Sequence, residues 1–320
     1  MTLAINIATP EGIVVATDSR QSYRNAKNVY RIGSDSAEKL FRFNSRTAIA
    51  IAGPAFLATD GLPKSLGKYV DEYRRSVNAD ALTVRETADG LSSYIASKLN
   101  LSKQLQALAT SVRQDLEAKG WTQVDVALDR TRSVVTFRGR QNGRSSNGTV
   151  AIEPIVLMIA GFDGDHHFVF NAHVPGDIQL LRDSADPSLA YGANWIGQSD
   201  VIRRIILGFD PRIASIPFVR EASAKLSEKE LNQQLGSLEY IINWGTMTLH
   251  DAVEFSALAI HTTAAVKRFS DGIACDPGDI AGVGGPVDVA VITPDEGFKW
   301  IRRKVVVPSE EVAPIQINAA

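Results

Sequence analysis

Residues 1–20 read MTLAINIATPEGIVVATDSR. Two β-rich runs, 2–8 and 13–18, flank TPEG, whose proline and glycine mark a tight turn, so the stretch is a hairpin. With Pro10 and Glu11 as the loop, Thr9 faces Gly12, and carrying the pairing outward sets Thr2 opposite Ser19 with Asp18 beside it. A carboxylate therefore lies close to the start of the chain, and to stay charged there it needs a cation partner. Met1 precedes a small residue, the setting in which an initiator methionine is commonly trimmed. A threonine hydroxyl attacks poorly unless a base takes its proton, and an α-amino group freed on Thr2, with a pKa of about 7.7–8.0, is such a base.

The 320 residues are 44% hydrophobic and 22% charged, enough for a large buried core and unlike a disordered or fibrous chain. A formal charge of −2 supplies no global basic field for nucleic acid or an anionic membrane, and the local run RGRQNGR at 138–144 reads as a solvated loop. No run of about 18 apolar residues offers a membrane span, and no secretion signal opens the chain. The single Cys275 excludes an internal disulfide framework and fits a reducing, cytoplasmic setting. His166, His167, His173, His250 and His261 lack metal-ligand spacing, and GVGGP at 282–286 lacks the lysine and the serine or threonine of a phosphate loop. Neither a metal nor another cofactor is expected.

Three more hairpins follow the first: KLFRFNSRTAIAIAG at 39–53, PIVLMIAGFDGDHHFVFNAH at 154–173 and VDVAVITPDEGFKWIRRKV at 287–305. The polar stretch between the first two, residues 20–38, reads as loop. Helical patterning runs from about 56 to 119. Thr83 and Glu86 form a capping box there, and the stripe Val84, Ala88, Leu91, Ile95, Leu99 continues through Leu105, Leu108, Val112 and Leu116 to a stop at Gly120. Residues 121–153 read as a short strand, SVVTF, and an exposed loop, RGRQNGRSSNG, within an insertion at about 101–153. Helices return at QSDVIRRIILG, after Ser227 with Glu230, and after Thr248 with Asp251. Strands in antiparallel pairs and helices in separate blocks predict an α+β fold of two antiparallel sheets stacked face to face, with helices outside. A single domain over 1–307 and a loose extension at 308–320 are expected.

These segments resemble the β-type subunits of proteasomes and their bacterial relatives, N-terminal-nucleophile hydrolases with a four-layer αββα sandwich. The carrying residues are TLAINIATPEGIVVATDSR, EKLFRF, TAIAIAGPA, MIAGFDGD and GGPVDVAVITPDEG. The resemblance spans nearly the whole chain in element order and is specific mainly in the first 55 residues; the insertion and a lengthened helical region around 210–247 are departures. It implies that Thr2 is the nucleophile, that Asp18 and Lys39 are the acid and the lysine of the site, and that the Gly53 N–H is the oxyanion donor. Arg20 holds the place of an arginine often found after the acid. Gln21, Ser22 and Ala55 are expected to shape the substrate pocket.

Two later motifs depart from the pattern. YGANWIGQSD at 191–200 offers Ala193 where the family often has serine, with Ser199 farther along. In GDIAGVGGP at 278–286, Ile280 and Val283 stand at the places of an acid and a serine, and Asp279 is displaced by one residue. Either Asp279 reaches the site through a local shift, or that supporting shell is absent and Asn194, Asp279 or water positions the terminal amine. The resemblance implies a threonine peptidase acting on peptides or proteins, homo-oligomeric as a ring or helical stack, with an unfolding ATPase as a possible partner. An amidase acting on a small-molecule amide and a catalytically inactive structural subunit are the alternatives.

Overall fold

A computed structural model of the chain describes residues 2–24, 29–57, 62–129, 132–152, 154–274, 276–277 and 281–304. Met1, Cys275 and the extension expected at 308–320 lie outside them. The fold is of mixed α and β content with antiparallel sheets. Hairpin β1 (Leu3–Thr9) and β2 (Gly12–Thr17) turns at Pro10–Glu11, with Thr9 opposite Gly12. Next come β3 (Gln21–Arg24), β4 (Tyr30–Ser34), β5 (Leu40–Arg42) and β6 (Thr47–Ala52), then the short pair β7 (Phe56–Leu57) and β8 (Lys64–Ser65). Helices α1 (Leu66–Ser76), α2 (Val84–Lys98) and α3 (Leu101–Ala118) precede β9 (Thr122–Asp129), β10 (Val134–Gln141) and β11 (Arg144–Ala151). Four strands follow: β12 (Ile155–Asp163), β13 (His166–Val174), β14 (Ile178–Asp183) and β15 (Gly192–Gly197). The chain continues through α4 (Asp200–Ile206), α5 (Pro217–Ser223), α6 (Glu228–Gly236) and α7 (Leu249–Phe269). The small ladder β16 (Gly272–Ile273) with β17 (Asp276–Pro277) leads to β18 (Asp288–Thr293) and β19 (Gly297–Arg302).

Two five-stranded antiparallel sheets organise these elements, ordered β15-β1-β2-β18-β19 and β14-β13-β12-β6-β5. Strands β1, β2, β6, β12 and β18 are buried on both faces, and the two-residue period sorts their side chains by size. Leu3, Ile5 and Ile7 of β1, Val14 of β2 and Val289 and Val291 of β18 meet Ile202, Ile206, Ala252, Ala259 and Ile260 from α4 and α7. Ile49 and Ile51 of β6 and Leu157 and Ile159 of β12 meet Leu66, Tyr69 and Val70 of α1 and Val84, Ala88, Leu91 and Ile95 of α2. The alternate residues, Ala4, Ala8, Ala48, Ala50, Ala52, Ala160 and Ala290 with Ile13, Val15, Met158 and Phe162, form a third core shared by both sheets. Alanine predominates there because two pleated faces that interdigitate leave little room between them.

All three capping boxes read from the sequence are present, on α2, α6 and α7. The helical stripe across Leu99 is not continuous. Asn100 accepts the Lys103 N–H at 3.1 Å and starts α3 as a separate helix. The residues read as the loop RGRQNGRSSNG are strands β10 and β11, paired in one register around Asn142 and Gly143, both at positive φ (51° and 77°). That is the twist-matched two-residue hairpin turn favoured by Asn-Gly. Together with β9 they make a three-stranded sheet against which α3 packs. The stretch 20–38, also read as loop, contains the β3–β4 ladder. Among the described residues no helix is long and apolar enough to cross a membrane.

Two measurements check this packing. Ala50 is fully buried between Leu40 and Met158 on the neighbouring strands, so Ala50→Leu overfills the shared core and is expected to cost about 1–3 kcal/mol in urea unfolding. His167 is buried with Nε2–H donating to the Ala190 carbonyl at 2.7 Å, and burial holds its pKa below the ordinary 6.5 despite that bond. The unfolded chain thus binds the proton more readily. Stability contributed by neutral His167 is whole above about pH 6.5 and declines as pH falls towards the lower folded value; His167→Gln flattens that dependence.

Candidate active site

Thr2 is 3% exposed and is pinned through its main chain. Its carbonyl accepts the Gln198 N–H at 2.6 Å just past β15, and the next residue, Leu3, donates its N–H to Asp18 Oδ1 at 3.0 Å. The pairing of β1 with β2 runs one step beyond the assigned strands, since Asp18 N–H donates to the Leu3 carbonyl at 3.2 Å. Asp18 therefore faces Leu3, and Ser19 falls opposite Thr2, the register expected of the hairpin. On the other side Gly197, at φ +87°, is opposite Leu3; a Cβ there would overlap the Thr2 carbonyl. Glycine is what lets Thr2 lie this close to β15.

Asp18 is fully buried and has four donors. Oδ1 takes the Leu3 N–H and the Lys39 ammonium at 2.8 Å, while Oδ2 takes the N–H groups of Arg20 at 3.1 Å and Gly284 at 3.0 Å. Four bonds match the lone-pair capacity of a carboxylate, so the buried charge is satisfied. Lys39 precedes β5, its carbonyl accepting the Ile51 N–H at 3.0 Å, and its Nζ also donates to the Arg20 carbonyl at 2.5 Å. Burial pulls the Lys39 pKa below the ordinary 10.5, and the Asp18 charge and hydrogen bond oppose that without cancelling it.

A cavity of about 540 Å³ opens over these groups. Thr2, Lys39, Gly53, Gln21, Ser22 and Ala55 all line it, and Asp18 stands behind Lys39. Gly53 directly follows β6 at φ +113°, where an added Cβ would come within 2.7 Å of the Pro154 carbonyl. Arg20 contributes its carbonyl to Lys39, whereas its guanidinium turns away to Asp35 at 2.6 and 3.0 Å and to the Ala281 carbonyl at 3.2 Å. Asn194 is not brought to the site. It faces Asn6 in the ladder, three residues along β15 from Gly197, a separation of about 10 Å at strand spacing, and its Oδ1 accepts Arg182 Nε at 2.8 Å. Asp279 lies outside the described residues.

Three contributors were not foreseen. Gly284, in the GDIAGVGGP stretch, completes the Asp18 cradle with its N–H, and its carbonyl accepts the Ser19 N–H at 3.0 Å. The start of α1, from Ser65 to Lys68, forms one wall of the cavity, and Tyr23 and Tyr30 from the β3–β4 ladder form another. A tyrosine in each of two short runs separated by polar residues was the available signal. Among the described residues no group of three or more His, Cys, Asp or Glu side chains is arranged to hold a metal ion. Compared with models of protein families and with curated proteins, the chain matches none.

Removing the ammonium alone, by Lys39→Met, leaves Asp18 buried with main-chain donors only and is expected to lower stability by about 3–5 kcal/mol in denaturant titrations. Lys39→Met with Asp18→Asn removes both charges and is expected to recover part of that loss.

Proposed function

We propose that this chain is a threonine peptidase of the proteasome β-like class, built on the four-layer αββα sandwich of N-terminal-nucleophile hydrolases, with Thr2 as nucleophile once Met1 is removed. The observation that carries the proposal is the convergence of Thr2, the buried Lys39–Asp18 pair and Gly53 on one cavity. In support of the sandwich, one apolar core joins each sheet to its own helices and a third joins the sheets.

The chemistry follows from the groups. The freed Thr2 amine takes the proton from Oγ1, directly or through a water, as Oγ1 attacks the scissile carbonyl carbon. Lys39, within the same cavity and held by Asp18, stabilises negative charge developing on Oγ1. The main-chain N–H of Gly53 is assigned to the oxyanion, a donor worth roughly 2.7–4 kcal/mol in comparable sites. The C–N bond breaks as the amine leaves with the transferred proton, and water then hydrolyses the Thr2 ester. With Met1 in place the Thr2 nitrogen is an amide and accepts no proton, so its removal switches the site on.

A cavity of about 540 Å³ also falls within the range of small-molecule sites, which favours a second reading: an amidase acting on a small-molecule amide. Peptide or protein substrates, homo-oligomerisation and an ATPase partner belong to the first reading. Exposed Phe218, Tyr240 and Ile241 are consistent with burial against further copies.

Intact mass before and after reaction with a peptide ketone electrophile tests the function. Met1-free protein is expected to gain one adduct at Thr2, Thr2→Ser to keep reactivity, and Thr2→Ala to lose turnover by roughly 10³-fold or more. Absence of any adduct on Met1-free protein overturns the proposal, and turnover of small amides without cleavage of unfolded polypeptide selects the second reading. The rate is expected to be bell-shaped in pH. It rises as the terminal amine loses its proton near 7.7–8.0 and falls as Lys39 deprotonates, on a limb lying below 10.5 because burial lowers that pKa.

A further inference from the structure

A second buried ion pair lies under the site and takes no part in the chemistry just proposed. Lys304 stands two residues past the end of β19, with a side chain only 10% exposed, and its ammonium binds Asp288, whose side chain is 3% exposed. The Lys304 N–H donates to Asp288 Oδ1 at 2.8 Å, and Nζ also donates to Ser19 Oγ at 3.1 Å. Asp288 opens β18 opposite Thr17. The preceding residue, Arg303, reaches Glu38 at 3.0 Å, beside Lys39. Residues 303 and 304 are therefore fastened to both segments that carry the catalytic pair. Ser19 is the hub of this contact. Its N–H donates to Gly284 and its carbonyl accepts the Ala37 N–H at 2.9 Å, so its neighbours Asp18 and Arg20, both bonded to Lys39, depend on where it sits.

We propose that Lys304 is a positioning residue of the Thr2 site, holding Asp18, Ser19 and Arg20, and through them Lys39, in place from the far end of the chain. Its catalytic consequence rests on the function proposed above; its effect on Lys39 does not. Lys304 also places a second positive charge near the first. The charged groups around Lys39 are Asp18, the Arg20 guanidinium with its partner Asp35, Lys304 with its partner Asp288, and Glu38, Lys68 and Asp71 on the wall of the shared cavity. Burial is the main influence lowering the Lys39 pKa, Asp18 opposes it, and Lys304 and Arg20 act in the same direction as burial. Loss of the Lys304 charge thus makes Lys39 hold its proton to higher pH.

The test follows the Lys39 side-chain nitrogen by NMR titration in protein labelled with ¹⁵Nζ-lysine, together with the rate at which a peptide ketone labels Thr2 in Met1-free protein. Lys304→Met strands the Asp288 carboxylate, so Lys304→Met with Asp288→Asn is measured beside it as the variant with no unpaired charge. Both are expected to move the Lys39 midpoint away from its wild-type value, upward through loss of the Lys304 charge and downward to the extent that the Asp18 contact loosens, and to slow Thr2 labelling by about 10-fold or more per folded molecule through misplacement of the pair. A fall in thermal midpoint with the Lys39 titration and the labelling rate unchanged makes Lys304 merely structural and overturns the proposal. If wild-type Thr2 takes no label, the peptidase proposal fails, and the Lys39 titration alone decides the role of Lys304.

Discussion

The Asp18 carboxylate, sealed from solvent, is met by four donors from four separate parts of the chain. Two of them, the Lys39 ammonium and the Gly284 N–H, come from segments remote in sequence. Together these donors fix the relative placement of the first strand, the end of β2, the start of β5 and the loop before β18. A buried ion pair is weak as a source of net stability, because desolvation offsets most of the Coulomb attraction. Its contribution here is specificity of arrangement: the four bonds tie these segments together, and Thr2 is located by the same bonds through Leu3.

Around that point the sheets supply rigidity. Large branched side chains face the helices and alanines face the opposing sheet, so β1, β2, β6, β12 and β18 are pinned from both sides. Thr2 and Gly53 sit at ends of two of these strands and Lys39 at the start of β5, where the backbone is fixed by a ladder on one side and open to a cavity on the other. The groups of the proposed site are thereby carried on well-packed elements of the chain, as a precisely held constellation requires.

Much of this was legible in advance. The four hairpins carry strong period-two patterns or turn dipeptides, and the capping boxes at Thr83, Ser227 and Thr248 place helix starts to the residue. From the hairpin register alone, Thr2 and Asp18 come together. What failed has identifiable causes. Strands β14 and β15 are the outer strands of their sheets, and neither IQLLRD nor GANWIG alternates, so nothing local marks them. The β10–β11 hairpin is exposed and polar along much of its length, which hid a strand behind loop-like composition although Asn142–Gly143 announced the turn. Asn194 was one of the alternatives for positioning the terminal amine, and the pairing of β15 with β1, which sets it three residues too far along, is a tertiary fact the sequence does not carry. Gly284 gave no side chain to read, only an N–H whose direction depends on the fold.

The two ends of the described chain meet at one spot. Asp18 and Gly284 are separated by 266 residues, and Ser19 and Lys304 by 285. Contacts of such high order carry a large loop-closure cost and form late. On a ribosome, where synthesis runs from the amino end, the first hairpin emerges long before the segments that complete its cradle. Thr2 and Asp18 are therefore synthesised well before Gly284 and Lys304, and the Asp18 cradle is complete only once the segments around β18 and β19 dock.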